Sequence, residues 1–512
     1  MRRLFKAAII VTLFSVLTRA LGFVLRIILS RALGAEVLGN YQVAMSIFGV
    51  FLTLVSSGLP LVVSRFVAYN KNQKNENKAY SSVSAGLIIS LLISIIISLI
   101  ICIFPELLTL IFKQNNVTSI ILYSLPGLIA SAIYCVLRSA LWGDKKFFAI
   151  SFTEFFEQVV RIIFCFILFS ASILPQLSLG DKAALSLSIA CIFSCILVVI
   201  IYFSLKQKLS SPIGSFKPLL KSAVPITTLR TVSSLVQSLI AIIIPLRLTK
   251  FGYSSSEAMA QFGMIMGMAF PLIMIPGTLI GSLAVTLVPE ISSKTDNIDD
   301  KSHTKDLFGL KNNIYTGINL SVLISMVFVP AFIVLGQPIT EILFHSSEAG
   351  KYVSCGALLI LPMGINQISS SILNSIGLEF KSLINYAIGA VFLLISILFL
   401  PKYMGTYSLI VGMGFLSTIS AFLNMRMLKK RNLLKPGFLK FIILSIFFAL
   451  LSALFGYFIY SLLILFLNKF IATIFSGIIC TSSIILLYYI FNLSGIKGFL
   501  ITRKIRKKKL ST

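Results

Sequence analysis

Apolar residues in this chain come in long runs, broken by short polar segments, and the runs recur from one end to the other. A helix needs about 20 apolar residues to cross a hydrocarbon core roughly 30 Å thick. Windows of that size fall at about 6–30, 40–66, 80–104, 117–141, 149–171, 183–204, 218–247, 258–288, 308–335, 352–376, 383–400, 406–428, 438–465 and 470–492. Nothing between them is long enough to fold as a soluble domain. The pattern predicts an all-α polytopic membrane protein with about 14 transmembrane helices. The start, MRRLFKAAIIVTLFSVLTRALGF, has the basic and then apolar order of a signal peptide. Arg19 interrupts the apolar stretch, however, no small-residue cleavage site follows, and the pattern continues to Leu33, which predicts a retained first helix.

Charge sets the expected orientation. Alternate loops are rich in Lys and Arg: Lys71, Lys74 and Lys78; Lys145 and Lys146; Lys206, Lys208 and Lys217; Lys294, Lys301 and Lys305; Lys429, Lys430, Arg431 and Lys435. The tail adds Arg503, Lys504, Arg506, Lys507, Lys508 and Lys509. The intervening loops hold little more than Lys113, Lys182, Lys250, Lys402 and Lys469. An even number of spans with both termini cytoplasmic, in the cell membrane, satisfies the positive-inside rule throughout. The net charge of +28 would suggest a nucleic-acid partner in a soluble protein. With 57% hydrophobic and 12% charged residues, and with no basic segment on a soluble module, the bilayer accounts for it and no nucleic acid is expected. The seven cysteines mostly sit in apolar runs, and none has metal-ligand spacing with His303 or His345. Neither a metal nor a cofactor is expected.

The chain reads as two related halves. "SRALGAEVLGNYQVA" joins the first two spans, and "PLRLTKFGYSSSEAMAQFG" joins the seventh and eighth with the same order of Arg, Gly and aromatic. Each second span ends near a proline, in "GLPLVVSRFVA" and "TLVPEISS". Weak internal similarity of this kind marks transporters built from repeats. The expected division is a six-helix lobe over 1–204, a cytoplasmic linker over 205–217, a second six-helix lobe over 218–430, two extra helices over 431–492 and a basic tail over 493–512. Prolines inside spans remove helical hydrogen bonds, and Pro225, Pro271 and Pro276 are the candidate bends.

Ionisable residues inside predicted spans are costly unless they face water or a partner. Glu154, Glu157 and Arg161 lie in the fifth span. Glu157 and Arg161 are four apart in the favourable order, which suits either an internal ion pair or a cavity wall. Arg19 and Arg230 stand at similar depth, one in each half, with no acid at helical spacing. A guanidinium there suits phosphate oxygens, which its planar fork can bind in pairs. Arg26 and Arg247 lie nearer the outer face. The expected cavity is cationic, with Arg19 and Arg230 on opposite walls.

The segment "LTRALGFVLRIILSRALGAEVLGNYQVAMSIFGVFLTLVSSGLPLVVSRFVA" resembles the N-terminal signature of the stage V sporulation protein B family. That family is part of the polysaccharide-exporter branch of the multidrug/oligosaccharidyl-lipid/polysaccharide superfamily. The resemblance runs on through "EFFEQVVRI", "IIIPLRLTKFGYSSSEAMAQFGMIMGMAFPLIMIPGTLIGSLAVTLVPEIS" and "LPMGINQISSSILNSIG". It implies a two-lobed, alternating-access flippase for an undecaprenyl-pyrophosphate-linked saccharide or peptidoglycan precursor. The residues themselves show no catalytic constellation, so no enzyme activity is expected. In the related lipid II flippases, arginines of an SR-x-LGF-x-R motif line the cavity. Arg19 matches the first of these, Arg26 stands one position later than the second, and an acidic residue that follows in the flippases has no match here. The expected partners are membrane lipid and the lipid-linked glycan, handled by a single chain. Two other readings are open: a cation-coupled multidrug antiporter of the same fold, which wants acids in its cavity, and a membrane glycan polymerase, which wants acids or histidines at the outer face.

Overall fold

The computed structural model describes residues 2–106, 115–170, 173–295, 304–434 and 437–491. The basic tail, Asp296, Asp299, Asp300, Lys301, His303, Lys113 and Lys435 lie outside them. Every regular element among the described residues is helical, and the chain is a multi-pass membrane protein. It divides into two compact units, Met1–Gly267 and Met268–Thr512.

The first unit holds α1 (Arg2–Ser56), α2 (Gly58–Asn72), α3 (Glu76–Ile103), α4 (Asn115–Gly143), α5 (Phe147–Leu168), α6 (Leu179–Ser204), α7 (Phe216–Lys250) and α8 (Ser255–Gly263). Helix α1 is two arms, because Gly34 leaves the helical region at φ 70, ψ 175, a conformation open to a residue without Cβ. The break lies in the segment expected to join the first two spans. Small residues let helices approach closely. A Cβ on Gly39 would collide with the Met259 carbonyl, and one on Gly263 with that of Ala35, so α8 rests backbone to backbone on the second arm of α1. Helix α7 is held to the same arm by the Ser238 hydroxyl, which donates to the Ser46 carbonyl at 2.7 Å.

Several turns end in a left-handed residue: Lys74, Lys145 and Lys206 at φ 57, 59 and 57, Gly252, Gly377 and Asn432. In each of the three lysine turns the next N–H reaches back five residues, Asn75 to Asn70, Lys146 to Leu141 and Gln207 to Tyr202, at 2.9–3.3 Å. This closes the orphan carbonyls of the helix end. The segment after α6, expected as a linker, is fastened to its own unit. Gln207 bonds Lys71 at 2.8 Å and Asp144 at 3.1 Å, Lys71 and Asp144 pair at 2.8 Å, and Ser210 donates to the Asn77 carbonyl at 2.8 Å.

A π-helical turn, Met264–Ala269, follows α8 and leads into α9 (Phe270–Ile273) and α10 (Ile275–Thr295). Pro271 cannot donate to Gly267, inside that turn, and Pro276 cannot donate to Leu272 across the break. The helices on either side, Ser255–Ile273 and Ile275–Ala284, meet at 45°. Helix α7 runs on through Pro225 as one element. The second unit continues with α11 (Thr304–Phe344), α12 (Ser347–Gly356), α13 (Ile360–Ser375), α14 (Glu379–Phe399), α15 (Pro401–Met404), α16 (Tyr407–Lys430), α17 (Phe438–Leu463) and α18 (Lys469–Ile490).

Among the described residues, 11 helices are long and apolar enough to cross a membrane, or 12 if the bent pair is one span. The expected count of about 14 is therefore not recovered by length and composition. Two features lower the number. The continuous stretch Val11–Asn72 holds both of the first two expected spans, and α5 carries Glu154, Glu157 and Arg161 within 22 residues, too many charges to qualify on apolar character.

Candidate functional site

The first unit has an open cavity of about 360 Å³ between α1, α4 and α5. Each helix supplies residues at the three- and four-residue spacing that makes one helical face. Ser15, Thr18 and Arg19 come from α1, Tyr134 and Arg138 from α4, and Glu154, Glu157 and Gln158 from α5. Aromatic packing places the faces. Phe14 meets Phe148 and Phe155 edge to face, with ring centroids 5.7 Å apart in both cases. That contact fixes the rotation of α1 against α5 and turns the next residues of α1 toward the acids.

Arg138 forms an ion pair with Glu154 across the cavity wall. Tyr134 donates to Thr153 at 3.4 Å. In two of the lining residues one atom, Arg138 Nε and Thr18 Oγ1, is buried away from the cavity and makes no hydrogen bond among the described residues. The lining holds two guanidinium and two carboxylate groups, so it is formally balanced where a net cationic wall was expected.

Of the arginines singled out in the sequence, Arg19 lines this cavity. Arg26 is exposed and is not part of the lining. Arg230 is also outside it, and its Nη1 donates to the Ser57 carbonyl at 3.4 Å, at the break between α1 and α2. Arg161 lies one turn beyond Glu157, yet the two make no ion pair within 4 Å among the described residues. Its Nη2 donates instead to the buried Tyr41 hydroxyl at 2.7 Å. Arg138, Tyr134, Thr18 and Gln158 were not singled out from the sequence. The rule applied to Arg19, a charge inside an apolar window, selects Arg138 as well. The described residues contain no cluster of three or more His, Cys, Asp or Glu able to hold a metal.

The sequence profile of a family described as "Polysaccharide biosynthesis protein" matches residues 4–295. Stage V sporulation protein B of Bacillus subtilis (strain 168) is 23% identical over 399 residues, 75% of this chain and 75% of that protein. Sporulation protein YkvU of the same strain is 22% identical over 371 residues, 69% of this chain and 78% of that protein. Among solved structures, the lipid II flippase MurJ in an inward closed conformation superposes with a TM-score of 0.70 at 16% identity, over 94% of this chain and 99% of that one. An inward-facing multidrug resistance transporter of the MATE family and MOP superfamily gives 0.63 at 17% identity, over 81% and 94%. At this identity the structural matches establish a shared fold.

Proposed function

We propose that this chain, which belongs to the polysaccharide biosynthesis protein family, flips an undecaprenyl-pyrophosphate-linked saccharide or peptidoglycan precursor from the inner to the outer leaflet by alternating access. The observation that supports this most is the polar cavity built on Arg19 and Arg138 within an apolar unit. A guanidinium that pairs with a carboxylate also pairs with a phosphate, through the same two-oxygen geometry. The substrate diphosphate takes Arg138 from Glu154 and engages Arg19, both of which line the cavity. The exchange keeps Arg138 paired, and the displaced Glu154 carboxylate must then take up a proton or a cation, since an unpaired charge in an apolar surrounding is costly. The reading includes cytoplasmic termini and a single chain as the working unit. The relatives named for sporulation and the lipid II flippase agree with a cell-envelope substrate.

Reconstitution in vesicles that carry an undecaprenyl-pyrophosphoryl saccharide tests the reading. The saccharide on the inner leaflet should become accessible to a membrane-impermeant probe at the opposite face only when the protein is present. Equal accessibility with and without the protein refutes it. Glu154 and Glu157 in the same cavity favour a second reading, the cation-coupled multidrug antiporter, since acids attract cationic drugs and coupling ions. Drug efflux without any movement of the lipid-linked saccharide would select that reading.

A further inference from the structure

The second unit contains a separate cavity, of about 150 Å³, between the α9–α10 bend, α13 and α16. None of the residues that line it is ionisable. Its polar groups are Asn366, Gln367 and Ser417, and its apolar walls include Met274, Met363 and Leu416. An amide network behind the wall orients Asn366. Asn424, fully buried, has its Nδ2 within hydrogen-bond reach of Asn366 Oδ1 at 3.2 Å, Ser370 at 3.0 Å and Ser369 at 3.3 Å, three acceptors that share its two N–H donors. Asn424 accepts in turn from Asn385 at 2.8 Å. Ser370 also donates to Asn366 Oδ1, at 3.4 Å. With Oδ1 occupied by donors, the amino group of Asn366 is the end left to bond a ligand. Gln367 makes no side-chain hydrogen bond among the described residues and offers both a donor and an acceptor. The Ser417 hydroxyl spends its proton on the Met413 carbonyl at 2.7 Å and keeps its lone pairs.

We propose that this cavity is a saccharide subsite that takes the hydroxyl and amide-carbonyl groups of the sugar on the carried lipid. The lining suits the other parts of such a substrate less well. A diphosphate would meet no cation here, and a hydrocarbon chain would bury Asn366 and Gln367 without partners. A sugar both donates and accepts, and its C–H faces suit the methionine and leucine walls. The inference rests on the proposed function but concerns different residues, so a failed subsite is distinguishable from a failed flippase.

The test compares undecaprenyl-pyrophosphoryl-N-acetylglucosamine with bare undecaprenyl pyrophosphate, both binding the full chain in nanodiscs. The wild type should hold the glycosylated probe about tenfold more tightly, the scale of one or two neutral hydrogen bonds. Gln367→Ala, a change at an exposed side chain that leaves the buried network intact, and Asn366→Leu should both remove that preference without altering affinity for the bare carrier. A wild type that binds the two probes equally, or variants that keep the full preference, overturns the subsite and leaves the flippase reading standing. Binding of neither probe overturns the flippase reading and the subsite with it.

Discussion

The ion pair between Arg138 and Glu154 gives a test in which the sign of the effect carries the argument. If Glu154 competes with the substrate phosphate for Arg138, then Glu154→Gln should tighten binding and Arg138→Ala should weaken it. The side chains are 30% and 37% exposed, so the pair is only partly desolvated. Exposed pairs contribute about 0.2–1 kcal/mol, whereas unit charges about 4 Å apart at an effective dielectric near 20 interact by about 4 kcal/mol. A value of about 1.5 kcal/mol lies between these bounds and corresponds to roughly tenfold tighter binding of undecaprenyl pyrophosphate by Glu154→Gln. Arg138→Ala loses hydrogen bonds to a charged partner, each about 1.5–3 kcal/mol, and should bind roughly 10- to 100-fold more weakly. The assay is equilibrium binding in nanodiscs at two ionic strengths, with membrane abundance as the control for folding. If both variants weaken binding at normal abundance, the pair is a structural strut and the exchange of carboxylate for phosphate is wrong.

Three further outcomes are expected. Arg19→Lys should slow flipping partially, because it keeps the charge and loses the fork, and Arg19→Ala should slow it severely. Normal flipping by Arg19→Ala at normal abundance would remove Arg19 from the site. Gly39→Val should cost about 1–3 kcal/mol through its collision with the Met259 carbonyl. An unchanged melting temperature would contradict the backbone contact between α1 and α8. A cysteine placed beside Lys507 should resist a membrane-impermeant maleimide added to intact cells, and efficient labelling would reverse the orientation derived from the loop charges.

The membrane fold was legible because bilayer thickness dictates the length of an apolar run, and 11 helices among the described residues are long and apolar enough to meet it. The bend at Pro276 was legible for a local reason, the loss of one N–H. The site was legible only in part. Helical spacing places Glu154, Glu157 and Arg161 on one face of α5, but it does not say which helix that face meets. The structure gives Glu154 to Arg138 and Arg161 to Tyr41, a residue 120 positions away. Counting residues likewise gave Arg19 and Arg230 similar depths. Depth says nothing of rotation about the helix axis, and their surroundings differ.

The left-handed lysines at 74, 145 and 206 have a consequence for how such a chain can change over time. Each adopts, against the preference of a residue with a Cβ, a backbone shape that ends a helix, and each adds a positive charge of the kind the positive-inside rule counts. Glycine would serve the first at lower conformational cost, yet it would erase the second. If the loop charges orient the chain as expected, a drift toward easier turns would weaken that signal, one loop at a time, without disturbing any helix.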